Sequence, residues 1–88
     1  MTGRYHRAVL RLEFTIEPFH DGNPGPHVRA AVAAAEALGA SIDFGPFGSS
    51  CAVPDAQAAD VAGAVVGAAF AHGATHVSLH AERVEPDG

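Results

Sequence analysis

With 88 residues, the chain can build one domain around one core and is too short for two. A composition that is 48% hydrophobic and 17% charged describes a folded domain rather than a disordered one. Five Arg, no Lys and ten acidic residues give a formal charge of −5, which repels a phosphate backbone and argues against nucleic acid as a partner.

From Ala8 to Pro18 the chain alternates. Leu10, Leu12, Phe14 and Ile16 share one face; Arg11, Glu13, Thr15 and Glu17 share the other. A period of two predicts a strand with one buried and one polar face, ended by Pro18. His20 to Gly25 reads as a loop by its turn chemistry. Pro26 suits a first helical turn. Val28, Ala31, Val32, Ala35 and Leu38 then follow the spacing of an amphipathic helix that Gly39 stops. Ser41 to Phe44 and Ser49 to Val53 predict two short strands, with Gly45-Pro46-Phe47-Gly48 as the hairpin turn between them.

A second helix starts after Pro54 with Asp55 as its expected N-cap, and His72-Gly73 closes it. Its apolar stripe is Val61, Ala64, Val65 and Ala68, widened by Val66 and Phe70. Thr75 to Val84 alternates again, with Val77, Leu79 and Ala81 against His76, Ser78, His80 and Glu82. The order strand, helix, strand, strand, helix, strand predicts an α+β, ferredoxin-like βαββαβ fold. Its four-stranded antiparallel sheet carries both helices on one face, with the first and third strands central and the fourth beside the first. The whole chain, 1–88, is one domain with a core of about 8–84 and flexible ends at 1–6 and 85–88.

The second face of such a sheet stays open, and here it is polar and net acidic. Arg11 with Glu13 or Glu82 are the ion pairs it offers. Three common uses of this architecture lack their residues. The loop after the first strand has no phosphate-binding arginine and no pair of metal-binding cysteines, and the open face has no aromatics to stack RNA bases. His76 and His80 share a face but lie roughly 13 Å apart along one strand, so one metal cannot take both. No metal is expected. His6 and His27 read as surface residues, and His72 as a favourable cation at a helix end. The single Cys51 excludes an internal disulfide and reads as a small buried apolar residue. No catalytic arrangement follows from spacing, and His80 as a general base is the enzymatic alternative. No run approaches the roughly 18 apolar residues of a membrane helix. The first residues, Met1 to Arg7, hold no apolar segment of a secretion signal, so a cytoplasmic location is expected.

Three ordered motifs add a resemblance. Phe14-Thr15-Ile16-Glu17-Pro18-Phe19 resembles the end of the first strand in the YkoF-like thiamine-binding family, with Glu17 where that family carries tyrosine. Gly45-Pro46-Phe47-Gly48-Ser49-Ser50 is similar to its hairpin, and Thr75-His76-Val77-Ser78-Leu79-His80 to its last strand. The resemblance spans about residues 8 to 84. It implies a non-enzymatic binding protein for thiamine or its hydroxymethylpyrimidine half, serving thiamine supply or salvage, with no other cofactor. It implies Thr15, Glu17, Ser49, Ser50 and His80 as ligand-binding residues. Glu13, Glu17, Asp43 and Glu82 are an acidic surround for the thiazolium cation, and Phe19 or Phe47 can pack on a ring. A single copy of the domain implies a homodimer or homotetramer. The alternative is an oligomerisation or regulatory module without a small ligand.

Overall fold

The computed structural model describes residues 9–18, 25–45 and 48–84. The loop 19–24 with Phe19 and His20, the turn residues Pro46 and Phe47, and both termini, including His6, lie outside the described residues. The elements are β1 (Val9–Glu17), α1 (Pro26–Ala37), β2 (Asp43–Phe44), β3 (Ser49–Pro54), α2 (Asp55–Ala71) and β4 (His76–Val84). The sheet runs β2-β3-β1-β4 with every neighbouring pair antiparallel, the ferredoxin-like order expected from the sequence.

Alternation along β1 separates the two faces as predicted. Leu12, Phe14 and Ile16 are buried against the helices, while Arg11, Glu13 and Glu17 are exposed. β3 sends Ser49, Cys51 and Val53 to the same inner side. The helices complete the core with small residues: Ala31, Val32 and Ala35 from α1, and Ala58, Val61, Val65 and Ala69 from α2. Alanine on these faces lets the two helices lie close to the sheet and to each other.

Four local expectations are corrected. Asp55 is the first residue of α2 and not its cap; Pro54 holds the cap position, and the Asp55 carboxylate accepts from Arg83 Nη1 at 3.2 Å. On α2 the buried stripe runs through Ala58, Val61, Val65 and Ala69, whereas Val66 and Phe70, each one residue and about 100° round the helix from it, remain 37% and 50% exposed. β2 is only two residues long, since Ser41 and Ile42 lie before the paired segment. His27 is buried, with 4% of its surface exposed, because the start of α1 turns its ring onto the end of β1.

Both helices close in the same way. Gly39 has φ +94° and Gly73 φ +106°, the left-handed region that glycine enters without a Cβ clash. After each glycine an alanine amide reaches back to the helix: Ala40 to Ala35 O at 3.2 Å, and Ala74 to Ala69 O at 3.0 Å. His72 also donates from Nδ1 to Ala68 O at 2.9 Å, one turn back in the helix.

Candidate functional site

Antiparallel registers set the open face in rows across the sheet. Asp43 of β2 opposes Ser50 of β3, Ser50 opposes Glu13 of β1, and Glu13 opposes His80 of β4. One row therefore reads Asp43, Ser50, Glu13, His80. Below it Ala52, Arg11 and Glu82 form a second row, and above it Thr15 opposes Ser78 and Glu17 opposes His76. Neighbouring strands stand about 4.8 Å apart, so adjacent members of a row are within reach of one small ligand.

Where β1 meets the β2–β3 hairpin, the surface sinks into a cleft of about 400 Å³. Its walls include Arg11, Glu13, Thr15, Asp43, Gly48 and Ser50, and Phe44, which is paired with the helix-side Ser49, also borders it. This volume lies within the range of small-ligand sites. Gly48 shapes the floor. A Cβ at this position would stand 2.9 Å from Phe14 O and 3.0 Å from Thr15 Oγ1, so only glycine lets the hairpin lie this close to β1.

The face is acidic. Glu13, Glu17, Asp43 and Glu82 bring four carboxylates against the single guanidinium of Arg11. Arg11 Nη2 sits 3.1 Å from Glu13 Oε2, the ion pair expected from the sequence, and His80 Nε2 sits 3.6 Å from Glu82 Oε1. Both pairs are about half exposed, which screens them, so they organise the surface more than they stabilise the fold. On the opposite side of the sheet Cys51 is buried and its thiol is pushed above the ordinary value of 9.0 by desolvation. Among the described residues no group of three His, Cys, Asp or Glu could hold a metal ion.

The residues singled out from the sequence separate into three sets. Thr15, Ser49 and Ser50 all border the cleft, although Ser49 points to the helix side and is buried opposite Phe14. His80 stands beside Glu13 on the far side from the cleft. Glu17 lies at the end of β1, roughly 13 Å from Glu13, opposite His76. There the backbone is tied across strands: Thr75 donates from its amide (2.7 Å) and its hydroxyl (3.3 Å) to Glu17 O. Phe47 is outside the described residues.

Two contributors were not legible in the sequence. Gly48 reads there as an ordinary turn residue, and only the approach of the hairpin to Phe14 and Thr15 shows why it is required. His27 was read as a surface residue, yet its Nε2–H donates to Pro18 O at 2.6 Å and its ring covers Gly25. This bond fastens the start of α1 to the end of β1, just past Glu17, where the Glu17–Pro18 peptide is cis.

No family model and no curated protein matches the chain. Solved structures share its fold. A domain of unknown function, DUF77, from Bacillus cereus aligns with TM-score 0.63 and 15% identity, over 89% of this chain and 76% of that one. A protein provisionally named for thiamine biosynthesis/salvage, from Thermotoga maritima, aligns with TM-score 0.62 and 11% identity, over 90% and 84%. A hypothetical protein from Methanocaldococcus jannascii gives TM-score 0.60 and 14% identity, over 92% and 82%. At these identities the likeness is one of fold. No helix among the described residues is long and apolar enough to cross a membrane.

Proposed function

We propose that the protein is a non-enzymatic carrier or sensor that reversibly binds thiamine, or its hydroxymethylpyrimidine half, on the open face of the sheet. The observation that carries this reading is the cleft, where Glu13 and Asp43 flank Ser50 in one row on the open face. An aminopyrimidine presents an amino donor and ring-nitrogen acceptors. Carboxylates accept from the amine, and the hydroxyls of Thr15 and Ser50 can donate to the ring nitrogens. The thiazolium is a fixed cation, which the surplus of carboxylates attracts.

Binding rather than turnover suits the groups present. The cleft offers carboxylates, hydroxyls and a paired guanidinium, whereas the Cys51 thiol is on the other side of the sheet and kept protonated by burial. The provisional name of the Thermotoga maritima protein supports the same ligand class.

Calorimetric titration of the purified chain at low salt, first with thiamine and then with hydroxymethylpyrimidine, tests the reading. Saturable binding is expected. Asp43→Asn should weaken thiamine by about tenfold, or roughly 1.4 kcal/mol, and the neutral pyrimidine by less. Glu17→Gln, farther along β1, should show the same preference more weakly. Equal losses for both ligands would remove the charge role. Silence from correctly folded protein would overturn the reading in favour of a module that assembles without a ligand.

A further inference from the structure

We propose, resting on the ligand reading above, that His80 makes the affinity for a cationic ligand pH-dependent by competing with that ligand for the Glu13 carboxylate. The basis is a square of four side chains on the open face. Across the ladder of β1 and β4, Arg11 opposes Glu82 and Glu13 opposes His80. Along β1, Arg11 Nη2 reaches Glu13 Oε2 at 3.1 Å; along β4, His80 Nε2 stands 3.6 Å from Glu82 Oε1. Every side of the square therefore joins a basic group to a carboxylate.

Only a protonated His80 balances that square. Arg11 brings one positive charge against the carboxylates of Glu13 and Glu82, so a neutral imidazole leaves one negative charge in surplus. Arg11 and Glu13 line the cleft, with His80 and Glu82 behind them on β4. The surplus thus borders the cleft, where it attracts a thiazolium. Imidazole gains its charge between pH 5 and 8, while carboxylates stay ionised over most of that range. Toward the acidic end Glu13 has a cation on each side, Arg11 and His80, and less attraction is left for the ligand.

Among the described residues no charge outside the square lies beside His80. Both helices pack on the opposite face, and Arg83 of β4 turns to that side and pairs with Asp55 at 3.2 Å. Thr15 and Ser78, the next pair along the open face, are uncharged, and Asp43 is two strands beyond Glu13. His76 repeats the pairing opposite Glu17, with Nδ1 3.0 Å from Thr75 Oγ1, but roughly 13 Å along the strand from His80. It is the internal comparison. Across one or two strand spacings on an exposed face, a unit charge changes the affinity for a monovalent cation by about threefold to tenfold at low salt. The coupling is reciprocal: a bound cation disfavours the protonated imidazole, so binding releases protons.

Calorimetric titration of the full chain with thiamine at low salt, from about pH 8 to about pH 6, tests the competition. The Kd should rise by about threefold to tenfold over that range. His80→Gln, at a side chain 66% exposed, should fold and lose most of this ratio, whereas His76→Gln should retain it. The same ligand meets every variant, so titration of its own aminopyrimidine cancels between them. At about pH 6.5, in two buffers of different ionisation heat, the unmodified chain should release more protons on binding than His80→Gln. A flat Kd in the unmodified chain, a ratio that survives His80→Gln, or equal proton exchange by both chains would overturn the inference while leaving thiamine binding in place. Absence of saturable thiamine binding at about pH 8 would instead overturn the ligand reading, and this inference with it.

Discussion

The two faces of β1 are built from the same nine residues and behave as different materials. Toward the helices, Leu12, Phe14 and Ile16 are almost wholly removed from water and meet alanines and valines at close range. Toward solvent, Arg11, Glu13, Thr15 and Glu17 meet hydroxyls, imidazoles and carboxylates of the neighbouring strands. The inner face fixes where the strands lie. The outer face inherits that order and is thereby left to carry chemistry, because its side chains contribute little to holding the sheet together.

The most severe way to break this contrast is from the inside. Leu12→Ala should cost about 2–5 kcal/mol, since Leu12 is fully buried and its neighbours are too small to fill the gap. Thermal melting should fall by roughly 4–8 °C per kcal/mol for a domain of this size. Arg11→Gln, one residue away, should change stability by about 0–1 kcal/mol. Comparable losses for the two variants would erase the distinction between the faces.

Gly48→Ala acts where the two faces meet. The added methyl group collides with Phe14 O, a backbone atom that cannot turn aside, so the hairpin must shift. A loss of about 1–3 kcal/mol in melting experiments is expected, together with a change in ligand titration, because the same glycine floors the cleft.

The smallest effect is a pH dependence at Cys51. Its thiol is raised by burial in the folded protein, so folding favours the protonated form. The associated stability is complete below the unfolded thiol value near 9.0 and is lost as pH rises through the folded value. Denaturant melts from neutral to alkaline pH should show a decline that Cys51→Ala reduces. An identical slope in both proteins would remove Cys51 as the source.

Periodicity made the fold legible. Alternation in β1 and β4 assigned each residue to a face, and the glycines after each helix marked where the chain turns back. Parity along β1 and β4 alone set Glu13, Glu17, His80 and Glu82 on the open side. The site was less legible because it depends on register between strands distant in sequence. No local pattern says that Ser50, rather than Ser49, stands between Asp43 and Glu13. His27 was missed for the same reason: its partner, Pro18 O, belongs to another element, and helical spacing carries no trace of it.

The matching helix closures have an architectural consequence. Each half of the molecule leaves its helix through a Gly-Ala step in the same backbone conformation, and each exit delivers the chain to an outer strand. The two halves are thus one structural sentence spoken twice, and they diverge only after the shared turn. In the first, the strand stops after two residues and leaves room beside a hairpin; in the second, it continues for nine and presents a border. Asymmetry between a recess and a border has been obtained by varying the length of one strand on a repeated plan.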